Sequence, residues 1–513
     1  MATETGSGQL VPAGPVTVTP GDPRYEDLLL RGYNKRYTKA PESIRVVGTT
    51  AHVVQAVNDA VRAGKQIAVR GGGHCLDALV DNPDVQMVID FTEMRAVGYD
   101  PQRKAFMIEP GATLGQIYRT LDYGWKVTLP GGVCPQVGAG GHIIGAGFGA
   151  LSRQHGVIAD HLYAVEVVVV GSDGQARAVV ATRESSDPNR DLWWAHTGAG
   201  GGNFGVVTRF WMRSPTATAS TSPDKMLPPS PTSLMTARAV WNWSDLTADS
   251  FVQLARNFGT WLEQNSAPGA PATALHGAFA ASRVEAKQLV IVGQTDPAVS
   301  GNEALLDSYL AAMGQQLPVA PQIFKSGRLP WLSSTINAPD SSVAAGVTGP
   351  PRWKSKVAVM KKRYTDAQMA AAYGHLTRTN YANRSSSFSM TFYGGRINAV
   401  AADATAHAHR NAVLTGAVSA VWDTPGDDDK HMTWVRELYR DLYADTGGVP
   451  VPNDRNDGCH VNWPDLDLLD AKWNSSTTPV PKLFHQENYS RLQQVKAKWD
   501  PRNVFRHPLS IRA

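Results

Sequence analysis

Glycine is gathered into four short clusters within the first 205 residues of this 513-residue chain. They are Arg70-Gly71-Gly72-Gly73-His74-Cys75, then Pro130-Gly131-Gly132-Val133-Cys134, then Gly138-Ala139-Gly140-Gly141-His142 running on through Gly145, Gly147 and Gly149, and last Gly198 to Gly205 around Asn203. Without a Cβ, such loops adopt positive φ at little cost and bring backbone N–H groups close to an anion with no side chain in the way. One cluster alone reads as a tight turn; four in one unit point to a large phosphate-bearing ligand. No Lys-Ser or Lys-Thr follows the glycines as a Walker A loop requires, and Gly145-Ala146-Gly147-Phe148-Gly149 lacks the third glycine of the dinucleotide fingerprint at its spacing. A different nucleotide-binding fold is implied.

Around the clusters, helix and strand alternate. Val53, Val54, Val57 and Val61 recur at helical spacing from Thr50 to Lys65, with Thr49 or Thr50 as N-cap and Gly64 as stop. Ile67-Ala68-Val69, Met87-Val88-Ile89 and Phe106 to Ile108 read as strands, and Val165 to Val170 with Ala176 to Val180 as a hairpin. This is α/β or α+β material. Ser214 to Ser233 carries five prolines amid Ser and Thr, which marks a boundary. Beyond it lie a strand at Gln288 to Val292 and helices at Thr365 to Leu376 and about His431 to Asp445. The run Asp427-Asp428-Asp429 reads as a solvated helix start favoured by the helix dipole.

Composition narrows the class. Hydrophobic residues at 42% and charged residues at 18% describe a globular chain, and the net charge of +4, with no long basic run, argues against a nucleic-acid partner. Cys75, Cys134 and Cys459 are too few for a disulfide framework and read as individual thiols. Met1 to Val18 has neither a charged n-region nor an apolar h-region, and no apolar run of ~18 residues occurs, so a cytoplasmic protein that does not engage a membrane is expected.

His74 and Cys134 each close a glycine turn, 60 residues apart, and both could face one ligand, although by type alone a bonded structural histidine and an inert thiol are the plainer readings. The Arg70 to Cys75 turn, the Pro130 to Cys134 turn with Gly138 to Arg153 behind it, and the tail Asp500 to Ile511 together resemble the berberine-bridge-enzyme-like flavoproteins of the vanillyl-alcohol-oxidase type. Gly447 to Asp454 and Asp191 to Val207 are similar to actinobacterial members that serve antibiotic biosynthesis, among them a hexose oxidase of lipoglycopeptides. The resemblance implies an α+β fold: a two-lobed flavin-binding domain from residues 1–213 and 455–513, and a substrate domain, 214–454, with an antiparallel sheet covered by helices.

It further implies FAD bound bicovalently, through His74 to the flavin 8α position and through Cys134 to C6. Arg70, Gly71, Gly72, Gly73, Gly132, Gly138, Gly141, His142, Gly145, Val207, Asn462 and Asn503 would complete the cofactor site, with a structural role the other reading for His142. The activity implied is oxidation of a hydroxyl group of a bulky glycosylated or polyketide-like natural product, with dioxygen as acceptor and hydrogen peroxide as product. Oxidative ring closure or C–C or C–N bond formation is the alternative, and a flavoprotein that binds a metabolite without oxidising it is a second.

The chain also departs from the family. Where members carry Tyr-x-Asn-Tyr, it has His460-Val461-Asn462-Trp463, and where related sugar oxidases place a tyrosine 14 residues after the flavin cysteine it has Phe148. A general base needs reach and a suitable pKa, and imidazole meets the second condition without a large shift. His460 is therefore the candidate base, with packing beneath the flavin as its other reading, and Tyr393 is the second candidate, with strand packing as its own. Trp463, whose indole cannot accept a proton, and Phe148 are candidate substrate contacts. His407 and His409 with Asp403 show no further metal-ligand spacing.

Overall fold

The computed structural model describes residues 14–338, 346–347 and 349–513, so the first 13 residues of the Met1 to Val18 stretch lie outside the described residues. The first of three sheets takes β1 (Val16–Val18), β2 (Ser43–Val46), β3 (Ile67–Arg70) and β4 (Met87–Asp90) in the order β1-β2-β4-β3, with β4 parallel to both neighbours. Parallel strands need a crossover. The amphipathic helix Thr50–Arg62 supplies it: Thr49 caps it by accepting the His52 N–H at 3.2 Å, and Val53, Ala56, Val57 and Ala60 form its buried face.

The second sheet, β5 (Val97–Asp100), β6 (Ala105–Ile108), β7 (Leu162–Val170), β8 (Ala176–Thr182) and β9 (Val206–Met212), is antiparallel in the order β5-β6-β9-β7-β8. The expected hairpin is β7-β8, turned at Gly174 with φ +77°. Val168, Val170 and Val206 from this sheet share a core with Ile67 and Ile89 of the first, which ties the two together.

Beyond the proline-rich run, β10 (Ser233–Asn242), β11 (His276–Ser282), β12 (Gln288–Thr295), β13 (Gln322–Lys325), β14 (Leu329–Pro330), β15 (Arg352–Met360), β16 (Ser386–Phe392), β17 (Leu414–Trp422) and β18 (Asn456–Cys459) build one antiparallel sheet. β18 joins it although it lies past residue 454. Period-two alternation sorts its faces. Phe388, Met390 and Phe392 of β16 pack into the largest core, while Ser387, Ser389 and Thr391 point the other way. Helices Ala248–Asn265, Asn302–Met313, Asp366–Thr377 and Asp428–Leu442 cover the apolar face with Phe258, Leu306, Met369, Trp434 and Leu438, among others. The last helix begins three residues before the expected His431, because Asp427 is its N-cap and Asp428 and Asp429 occupy the first turn. Asp428 is not simply solvated: it takes Arg352 as an ion pair and the Trp422 indole N–H at 2.8 Å.

An ionic cluster fastens the large sheet to the rest. Lys354 and Lys356 of β15 are 3% and 2% exposed at their side chains, a burial that ammonium groups tolerate only when paired. Lys354 Nζ lies 2.9 Å from Asp465, 3.1 Å from Asp467 and 3.4 Å from Asp77, and Lys356 bonds Asp465 and Asp467. Arg436 closes the cluster on Asp467 at 2.7 Å. Burial by itself would raise the Asp77 and Asp467 carboxyls, but Lys354 foremost outweighs it and holds both below the ordinary range.

Lys354→Met leaves three buried carboxylates short of a cation and should cost about 3–5 kcal/mol in chemical denaturation near neutral pH. Because a lowered carboxyl pKa stabilises above the ordinary value of about 4 and is lost as pH falls through the lower folded one, the deficit should shrink on acidification below about pH 4.

Candidate active site

Where the sheets meet, a cavity of about 540 Å³ runs from the glycine turns to the face of β11, β15, β16 and β17 that the helices leave uncovered. Its floor is backbone. The turn after β3 and the turn before the helix Ala139–Ile144 touch so closely that a Cβ on Gly72 would lie 2.4 Å from Gly138 N, and one on Gly138 would lie 2.3 Å from Gly72 N. Gly73 takes φ +79°, where its missing Cβ would also meet the Arg31 carbonyl. Gly141 has open space within 4 Å of its Cβ position. The glycines thus make a cradle that any side chain would fill.

Arg70 borders the cavity, but its guanidinium turns back to Asp90 at 2.7 Å, the residue paired with it across β3 and β4. His74 and Cys134 both line the cavity. The His74 imidazole stacks on Tyr33 at 4.5 Å, and the Cys134 thiol donates to Gln136 Oε1 at 3.3 Å. His142 lines the same space and holds the second turn in place, its Nε2 accepting the Gly132 N–H at 2.9 Å while the Tyr118 hydroxyl donates to the Gly132 carbonyl at 2.6 Å. Burial, and then the nearby His74, bring the His142 pKa down to about 4, so the ring is neutral and available as acceptor. Gly147 makes room for it, since a Cβ there would meet the imidazole at 2.1 Å.

Val207 and Asn462 also border the cavity; Gly145 and Asn503 do not. Gly145 instead admits the Asn462 amide, which a Cβ would strike at 1.7 Å, and Asn503 is an exposed turn residue with φ +51°. Phe148 and Trp463 form an aromatic wall, with ring centroids 5.7 Å apart. His460 and Tyr393 are not among the lining residues and sit one layer deeper. Phe148 stands edge-on against Tyr393 at 4.9 Å and packs at 5.5 Å from His460.

That deeper layer is a knot of buried imidazoles. The Tyr393 hydroxyl is bonded to His407 Nε2 at 2.7 Å, and burial pushes its phenol well up. His409 holds Asp457 at 3.2 Å and the Cys459 carbonyl at 2.9 Å. His460 Nδ1 accepts the Asn462 N–H at 3.2 Å, and burial followed by His409 and His142 drives its pKa far below the ordinary value. Among the described residues no group of three or more His, Cys, Asp and Glu side chains is arranged to hold a metal ion, and no helix is long and apolar enough to cross a membrane.

Several lining residues escaped the sequence reading: Tyr33, His276, Trp353, Thr391, Thr415, and Phe505 to His507 of the tail. Phe505, Arg506 and His507 stand within the tail motif already singled out, two residues past Asn503. His276 had only strand alternation as a signal, a polar ring on the same face as Ala278 and Ala280.

A family profile described as FAD binding domain matches residues 41–179, and one described as berberine and berberine like matches residues 459–512. The chain is 48% identical, over 96% of its own length and 88% of the relative's, to the aclacinomycin-N/aclacinomycin-A oxidase of Streptomyces galilaeus. The crystal structure of aclacinomycin oxidoreductase is similar at 47% identity with a TM-score of 0.93, covering 97% of this chain and 99% of that one. That of a glycopeptide hexose oxidase complexed with teicoplanin is similar at 45% identity with a TM-score of 0.92, covering 98% and 100%.

Gly138→Ala should strip most of the flavin from the purified protein, read as the ratio of visible to ultraviolet absorbance, because the new methyl group meets backbone that has no side chain to move aside. Gly124→Ala, with nothing within 4 Å of its Cβ position, should keep its colour.

Proposed function

The chain belongs to the berberine-bridge-enzyme-like FAD-linked oxidoreductases of the vanillyl-alcohol-oxidase type, and from that membership we propose that it oxidises a hydroxyl group of a bulky glycosylated or polyketide-like natural product, with FAD held covalently by His74 and Cys134. The observation that carries the reading is that these two side chains, from separate glycine turns, line one cavity whose floor is bare backbone. When bound, FAD supplies the hydride acceptor and, reoxidised by dioxygen, yields hydrogen peroxide. In this reading residues 1–213 and 455–513 hold the cofactor and residues 214–454 supply the sheet face that receives the substrate, with Phe148 and Trp463 of the cofactor part as its aromatic wall.

The residues themselves divide the work. Tyr33 stacked on His74 braces the first tethering turn, and His142 bonded to Gly132 braces the second. Small side chains on the uncovered sheet face, Thr391, Thr415 and Ala417, leave room for a large polycyclic or sugar-bearing molecule against the aromatic wall of Phe148 and Trp463. His460 and Tyr393 back that wall: the first is neutral and anchors the Asn462 turn, and the second is bonded to His407.

Intact mass and the visible spectrum of denatured, washed protein test the tethers. Wild type, His74→Ala and Cys134→Ala should each retain flavin, and the double variant should release it; a wild type that loses its colour on denaturation overturns the covalent assignment. Peroxide release with aclacinomycin N and with teicoplanin as probes tests the substrate class, and NMR of the product separates a carbonyl from a new ring.

A further inference from the structure

The proposed oxidation needs a group that takes the hydroxyl proton, and the aromatic wall cannot provide one, since neither indole nor phenyl accepts a proton. His460 and Tyr393 are separated from the cavity by that wall. The other imidazoles that reach the cavity are engaged: His142 accepts from Gly132, His507 bonds the Gly201 carbonyl through Nε2 and the Leu509 N–H through Nδ1, and His74 is the proposed tether. Asp81, which also lines the cavity, pairs with Arg70 at 3.9 Å.

His276 remains. It opens β11 on the uncovered face of the large sheet and lines the cavity with Thr391 and Thr415. Its Nδ1 is buried without a partner, so the ring's other nitrogen, Nε2, is the one left to face the cavity, and no hydrogen bond among the described residues engages it. Behind it stands Arg153, 1% exposed, whose guanidinium donates to the carbonyls of Ala272 at 3.0 Å, Leu275 at 3.2 Å and Asn265 at 2.5 Å, and packs over Phe392 at 5.0 Å. Three backbone anchors leave that cation no freedom to move off.

We propose, on the footing of the oxidase reading above, that His276 is the proton acceptor of the substrate half-reaction and that Arg153, bonded to the carbonyl of the preceding residue Leu275, is the residue that positions it. The substrate O–H proton passes to the ring, giving an imidazolium, while the hydride on the same carbon leaves to the acceptor already named; the alcohol loses two electrons and two hydrogens and becomes a carbonyl. Burial first, and Arg153 second, bring the His276 pKa to about 4, whereas Arg153 itself, lowered by burial to about 10, stays charged at neutral pH. The ring is therefore uncharged at neutral pH, and the imidazolium formed beside a fixed cation readily gives its proton up again.

Two measurements on the holoenzyme test this. In protein labelled at histidine nitrogen, the His276 signal, assigned by its loss in His276→Gln, should report a neutral ring at pH 6–8, about the ordinary titration range. In Arg153→Met its titration should move upward, and in Arg153→Lys it should stay low. A ring that titrates at the ordinary value of about 6.5 in wild type overturns the assignment whatever any substrate does. In anaerobic stopped flow with aclacinomycin N, His276→Gln should slow flavin reduction by roughly 10² to 10⁴ fold with little change in probe affinity, and added imidazole should partly restore His276→Ala. An unchanged reduction rate overturns the assignment while leaving the oxidase reading intact. A wild-type flavin that no probe reduces counts against the substrate class alone, and the imidazole spectra then decide the state of His276.

Discussion

Two backbones in contact, Gly72 on Gly138, are the constraint on which the rest of the site depends. A Cβ at either position would come within 2.4 Å of the other chain, so no other residue type lets the turn after β3 seat against the turn before Ala139–Ile144. That seating brings His74 and Cys134, 60 residues apart in sequence, to one cavity. It also sets His142 beneath the second turn, where its neutral Nε2 replaces a side-chain cap for the Gly132 N–H. The cradle is made by what is missing, and its precision comes from the neighbours that use the space.

The large sheet serves the site by an unequal division of its faces. One face carries the bulky apolar residues and is sealed by four helices, so burial of side chains such as Trp434 and Phe388, at roughly 1.5–3 kcal/mol each, is concentrated there. The other carries Ser, Thr and Ala and contributes little to the core. That face gains a binding surface from the same alternation that stabilises the first. Its orientation against the glycine turns is held by the Lys354 and Lys356 cluster, whose carboxylates come from the Asp77 loop and from Asp465 and Asp467. Buried ion pairs of this kind add little net stability, but their cost when mispaired enforces one arrangement of the two lobes.

Much of the fold was legible in consecutive residues. The helix Thr50–Arg62 follows from Thr49 and the valine spacing, and the β7-β8 hairpin from two valine-rich runs around Gly174. The helix Asp428–Leu442 was displaced by three residues because an acidic run serves as N-cap and first turn, and because Asp428 finds Arg352. In the site, the residues of the glycine turns were legible, and the imidazole that lines the cavity from β11 was not. His460 and Tyr393 stand out in sequence by comparison with a motif, whereas His276 stands out only when its strand is seen to face a cavity.

What the sequence alone determined is the class of ligand cradle and the element pattern around it, because positive φ, helix caps and strand alternation are properties of a few adjacent residues. Tertiary structure decided which rings reach the cavity. Phe148 lies 245 positions from Tyr393 in sequence yet stands edge-on against it, and that contact, not residue type, keeps the phenol from lining the cavity. Likewise, a cation at Arg153 and an imidazole at His276 become neighbours only because a short helix packs against the start of β11. Desolvation and the distance between charges set the protonation of such a pair, and both are created by packing between segments that the sequence keeps apart.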